Sequence, residues 1–111
     1  MPALTTVKAI ARFAQHTRLT ASAGHRDALI AKFLEACEIQ RDNPACELMF
    51  VSASPDESDV VYLTEVWTSA EEHERARTSP EVAAWAESMP ALVAGPPEST
   101  PLDVRGGKGL R

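Results

Sequence analysis

Between Val60 and Trp67 the chain reads VVYLTEVW, a run of β-branched and aromatic residues that is apolar at most positions. Side chains alternate across a strand, so Val61, Leu63, Glu65 and Trp67 share one face and Val60, Tyr62, Thr64 and Val66 the other. A strand exposed on one side would carry one polar face. This one has two largely apolar faces, which predicts cover on both sides. The exception is Glu65, a carboxylate on the Trp67 face.

The rest of the pattern supplies the neighbours of this strand. From about Gly24 to Arg41, Ile30, Phe33, Leu34 and Cys37 recur at helical spacing, with Lys32, Glu35 and Glu38 on the opposite side. Asn43-Pro44 ends that helix, because a residue before proline is driven out of the helical region. Cys46 to Ser54 reads as a strand, and the polar turn Pro55 to Asp59 folds it back onto Val60 to Trp67 as an antiparallel hairpin. Thr68/Glu71 and Ser69/Glu72 both have capping-box spacing and announce a helix. Ser79-Pro80-Glu81 announces another, with Val82, Trp85, Ala86 and Met89 as its apolar stripe and Pro90 to kink or end it. Gly95-Pro96-Pro97 is a linker, and Thr100 to Val104 a last short strand. His16 to Ser22 alternates as a strand ahead of the first helix.

Residues 1–15 fit helical spacing (Val7, Ile10, Ala11, Ala14) and strand alternation (Val7, Ala9, Ala11, Phe13) alike, and are read as an N-terminal extension leading into the first strand. A single domain is expected over 16–104, with a mobile tail over 105–111. The order strand, helix, strand, strand, helix or helix pair, strand is the split βαβ arrangement of a ferredoxin-like α+β fold, an antiparallel sheet with helices on one face. The other sheet face then needs a partner. A chain of 111 residues has little material of its own to cover it, so a homodimer is expected.

Composition narrows the partners. The net charge is −5 and the 11 Lys and Arg residues are scattered, so neither nucleic acid nor an anionic membrane surface is expected to bind. The sequence has neither a long unbroken apolar run nor a signal-peptide pattern, and a cytoplasmic location is expected. Cys37 and Cys46 are then reduced thiols, read as small apolar residues instead of metal ligands.

Four segments in order and spacing, TRLTASAGHRDAL, RDNPACELMFVSAS, TEVWTSAEEHERARTSPEV and the terminal GGKGL, resemble the antibiotic biosynthesis monooxygenase family, in particular its quinol monooxygenase-like members. The resemblance spans residues 16–110. Asn43 and Ala45 depart from it, standing where the family commonly has Glu and Gly. It implies a dimeric α+β barrel. It also implies one of several activities: cofactor-free oxygenation of quinols or anthrones, haem degradation, handling of small signalling molecules, or none. Fold does not choose among them. The haem-degrading branch carries an Asn where this chain has Thr17 and a His on the last helix, where residues 80–93 have none; Met89 is a weak replacement ligand. Haem degradation is therefore not expected, and no cofactor or metal is.

A cofactor-free oxygenase needs an apolar slot, a base or hydrogen-bond partner for a phenol, and exclusion of water. Phe33, Phe50, Trp67 and Trp85 are the aromatic candidates for the slot or for plain core packing, with Thr17 and Met89 beside them. His73, one turn into the helix after Trp67, is the candidate base, against an exposed His within EEHER. Where the family often has a second His, this chain has Ala76. Glu65 is either a site residue or the partner of Arg18 or of an arginine across an interface, since a lone buried carboxylate is costly. His16 is expected to face away from the slot, and His25 to be solvated. The expected activity is oxygenation of a quinol- or anthrone-like aromatic by molecular oxygen, with His73, Trp67 and Glu65 as catalytic candidates. A non-catalytic or stress-associated small-molecule-binding dimer, or an isomerase or lyase with polar walls, is the alternative.

Overall fold

A computed structural model describes residues 12–110. Its elements are strand β1 (Arg12–Thr20), helix α1 (Arg26–Ile39), strands β2 (Cys46–Ala53) and β3 (Val60–Trp67), helices α2 (Ala70–Arg77) and α3 (Pro80–Ala86), a single 3-10 turn (Met89–Ala91) and strand β4 (Glu98–Val104). They build an antiparallel four-stranded sheet in the order β2-β3-β1-β4, with the helices on one face. This is the ferredoxin-like α+β architecture expected. Among the described residues no helix is long and apolar enough to cross a membrane.

Local chemistry sets the element ends. Gly24, at φ +77°, takes the left-handed turn into α1 at no steric cost. Asn43 ends the following loop by accepting from the Ala45 backbone N–H (3.1 Å). Of the two capping candidates, Ser69 is the one used: its hydroxyl accepts from Glu72 N–H at 3.1 Å. Ser79 does the same for Val82 N–H, with Pro80 in the first turn of α3.

The structure departs from the sequence pattern at several points, among them β4, which begins at Glu98. β1 starts at Arg12, so residues 12–15 belong to the sheet, and the remainder of the expected N-terminal extension lies outside the described residues. α3 stops at Ala86, ahead of Pro90, because the chain first tightens into the 3-10 turn. On α1 the packed stripe is Leu29, Ile30, Phe33 and Ala36, while Leu34 is 52% exposed.

Two faces of the sheet follow from register. Gln15, Thr17 and Leu19 on β1 lie beside Glu65, Leu63 and Val61 on β3, under the helices. The core is Leu19, Ala21, Leu29, Phe33, Val61 and Leu63. On the bare face Leu48, Val66, Ala14 and Leu102 form one apolar row across all four strands. Phe50, Thr64, His16 and Thr100 form the next, with His16 stacked on Tyr62 at 5.2 Å. Arg12–Glu47 (2.5 Å) bounds this face at one end, and Arg18 with Glu57 (3.5 Å) and Glu98 (3.1 Å) at the other. As expected, β3 carries apolar side chains on both faces; on the face away from the helices Val60 and Val66 are buried, while Leu48, Phe50 and Leu102 beside them stand about half exposed.

Candidate functional site

Between sheet and helices lies a chamber of about 290 Å³. β3 contributes Leu63, Glu65 and Trp67; β1 contributes Gln15, Thr17 and Leu19; α1 contributes Phe33, Ala36 and Ile39. His73, Ala76 and Arg77 of α2 hang over it, and Val82, Trp85 and Met89 close the far wall. The walls are largely apolar, with polar groups on the sheet floor (Gln15, Thr17, Glu65 and Ser99) and on the helix side (Gln40, His73 and Arg77). Beside Thr17, Ser99 of β4 lies 3.2 Å away, hydroxyl to hydroxyl.

The polar centre is built by alternation. Glu65 and Trp67 sit two residues apart on β3 and so point to the same side. The indole N–H of Trp67 donates to Glu65 Oε1 at 3.0 Å. Trp67 is 2% exposed and Glu65 6%. His73 reaches down from α2, its ring 5.5 Å from that of Trp67 and 5.0 Å from that of Phe13. Its Nε2 is 3.6 Å from Glu65 Oε1, too long for a hydrogen bond.

Burial governs the charges here. It pushes the Glu65 carboxyl above its ordinary range, while the Trp67 indole hydrogen bond pulls it back. It also pushes the His73 imidazole down, with Glu74 opposing and Arg77 reinforcing that shift. Both displacements act against a His73 cation paired with a Glu65 anion, although the two groups are within ion-pair range. The consistent reading is a neutral imidazole beside a carboxyl held by an indole, and a neutral imidazole is the form that accepts a proton.

Trp85 is fixed differently. Its indole N–H donates to the Lys32 carbonyl at 2.8 Å, its ring packs 5.5 Å from Phe33, and the Lys32 ammonium lies 5.1 Å over it. That ties α3 to α1 across the top of the chamber.

The structure therefore brings together Thr17, Phe33, Glu65, Trp67, His73, Trp85 and Met89 around one cavity. Phe50 does not join them. It lies on the bare face and is 45% exposed; its neighbour Met49 turns into the chamber instead. An irregularity between Cys46 and Leu48 sets which side chains of β2 point inward. The pairing of Glu65 with Arg18 is also overturned. Arg18 sits opposite Tyr62 on the bare face, where it meets Glu57 and Glu98. His25 is exposed, as expected, its Nδ1 3.0 Å from the Ala23 carbonyl. Both cysteines are free and half-buried, and burial pushes the Cys46 thiol up to about 11. Gln15, Met49, Arg77 and Ser99 are chamber residues that the sequence pattern did not single out.

Fold and cavity together define a class: a ferredoxin-like α+β protein with a ligand-sized apolar chamber under its helices. The model of the antibiotic biosynthesis monooxygenase family matches residues 12–88. A proposed antibiotic biosynthesis monooxygenase from Chloroflexus aurantiacus is 30% identical, covering 88% of this chain and 97% of its own at a TM-score of 0.78. The chain belongs to the antibiotic biosynthesis monooxygenase family. A Mycobacterium tuberculosis protein at 20% identity (88% and 99% covered, TM-score 0.78) shares the fold. So does a proposed antibiotic biosynthesis monooxygenase from Caulobacter crescentus at 19% identity (85% and 90% covered, TM-score 0.78). No curated protein sequence matches the chain.

Proposed function

We propose that this protein is a cofactor-independent monooxygenase acting on a quinol- or anthrone-like aromatic in the chamber, and that it works as a homodimer joined through the bare sheet face. The observation that carries the reading is His73, an imidazole driven toward its neutral form and placed over an apolar chamber walled by both tryptophans. The base takes the phenolic proton. The resulting anion is electron-rich enough to reduce dioxygen directly, and carbon–oxygen bond formation follows. For a ring methylene the balance closes without a further reductant: methylene and dioxygen become carbonyl and water, the substrate supplying all four electrons that reduce the dioxygen. Trp67 and Phe33 give the ring flat apolar contacts, and the largely apolar walls limit the water that reaches the anion. Leu48, Phe50 and Leu102, each about half exposed on the bare face, support the homodimer.

A second reading, a small-molecule-binding dimer without turnover, is favoured by Ala76, an inward-facing position next to His73 with no group able to pass a proton on. The apolar walls speak against an isomerase or lyase for small polar metabolites. Oxygen uptake across a panel of quinols and anthrones separates the two readings. Uptake should exceed the uncatalysed rate for at least one compound and fall at least about 100-fold in His73→Ala, the usual scale of a general base. Trp67→Phe should raise KM more than it lowers kcat. No uptake above background with any compound, alongside measurable binding, establishes the second reading.

A further inference from the structure

The chamber is not closed on the helix side. Ile39, Gln40 and Ala76 line both it and a second cavity of about 310 Å³ between the C-terminal end of α1 and the outer side of α2. The character of the walls changes at that boundary. Beyond Ala76 the groove is lined by Asn43, Glu72, Arg75, Ser79 and Glu81. Glu72 and Arg75 are paired at 2.6 Å, and the Gln40 side-chain carbonyl accepts from the Asn43 amide at 2.9 Å.

We infer that Ala76 is a specificity-determining position, holding open a passage through which a hydroxyl-bearing arm on the aromatic ligand leaves the chamber for this polar groove. The inference rests on the chamber being the ligand site, as proposed above. Three observations support it. The inward stripe of α2 is His73, Ala76 and Arg77, at i, i+3 and i+4, and Ala76 alone presents only a methyl group there. The chamber, about 290 Å³, sits at the lower end of small-molecule sites, roughly 300–1,000 Å³, so it takes a fused ring system but no long substituent. The groove lies in the helix layer, so a partner covering the bare sheet face leaves it open.

The chemistry of the arm follows from the walls. Carboxylates and amide carbonyls accept hydrogen bonds, while the guanidinium and amide N–H groups donate them, and a hydroxyl does both. An alkyl tail would strip water from those groups and return nothing.

The test compares a naphthol with the same naphthol carrying a glyceryl ether arm on its far ring, by titration calorimetry on the full chain. The wild type should bind the armed probe at least about 10-fold more tightly, since ~1.4 kcal/mol corresponds to tenfold. Ala76→Phe should abolish the advantage of the arm, read as the ratio of the two probes' Kd values within the same variant. Gln40→Trp blocks the passage from the facing wall and should do the same, which keeps the comparison available if one variant loses its circular-dichroism spectrum. An arm that gives no advantage in the wild type overturns the inference while leaving the chamber reading intact. So does an advantage that survives in both folded blocking variants. A wild type that binds neither probe overturns the chamber reading, and this inference with it.

Discussion

The hydrogen bond from Trp67 to Glu65 ties the stability of the sheet to the protonation state of a single buried carboxyl. Replacing Trp67 by Phe keeps a flat apolar ring but removes the N–H that Glu65 accepts at 3.0 Å. Two contributions follow. The smaller ring leaves a void of roughly 40 Å³ in a site that is 2% exposed, which at about 24 cal/mol per Å³ costs ~1 kcal/mol. Loss of the hydrogen bond costs about 1 kcal/mol when the carboxyl is neutral and about 1.5–3 kcal/mol when it is ionised.

The pH dependence has a definite sign. Glu65 is raised above its ordinary value in the folded chain. The native state therefore binds more protons than the unfolded state between the unfolded and the folded pKa, and stability falls as pH rises through that window. Below both values the carboxyl is neutral in both states. Removing the indole takes away the one influence that holds the folded pKa down, so the window extends further upward. Urea unfolding followed by far-UV circular dichroism, at one fixed protein concentration, should give a cost of about 2 kcal/mol near pH 4. By about pH 8.5 that cost should grow by roughly 1 kcal/mol. In a Glu65→Gln background the same substitution should cost about 2 kcal/mol at both ends, because the amide does not titrate. A cost that does not change with pH in the native background, or that keeps its pH dependence in the Glu65→Gln background, refutes the assignment of Glu65 as the titrating acceptor.

Two further outcomes are expected. The rate of oxygen uptake should rise with pH through a single ionisation whose midpoint lies below the ordinary imidazole value of 6.5, as burial of His73 dictates; an acid limb at or above that value removes His73 as the base. Phe50→Lys combined with Leu102→Lys, on the bare sheet face, should shift sedimentation from dimer to monomer at micromolar concentration with the circular-dichroism spectrum retained, whereas an unchanged dimer places the interface elsewhere.

The hairpin, the two helix starts and the two-faced strand were legible because each rests on local chemistry. Val60 to Trp67 alternates whatever surrounds it, and Ser69 and Ser79 cap wherever a helix begins after them. Glu65, Trp67 and His73 were legible together for the same reason, being close in sequence. What escaped depends on register. Phe50 and Met49 lie on a strand that is apolar at both parities, so alternation alone does not say which one enters the chamber, and the irregularity near Cys46 decides it. Gln15 was hidden because residues before His16 fit helical and strand spacing equally. Ser99 gains its place only from pairing with Thr17, 82 positions away. Arg18 is a different kind of miss. It has the parity of His16, so alternation already placed it away from Glu65.

The charged pairs at the two ends of the bare sheet face have a consequence for assembly. Leu48, Val66, Ala14 and Leu102 form a band fenced by Arg12–Glu47 on one side and by Arg18 with its glutamates on the other. A second sheet that slides along the strands from its matched position lays leucine onto guanidinium and strips solvent from an ion pair without replacing it. In a homodimer of the kind proposed, the fences would act as alignment marks, turning a sticky surface into one that tolerates a narrow range of offsets and resists open-ended stacking.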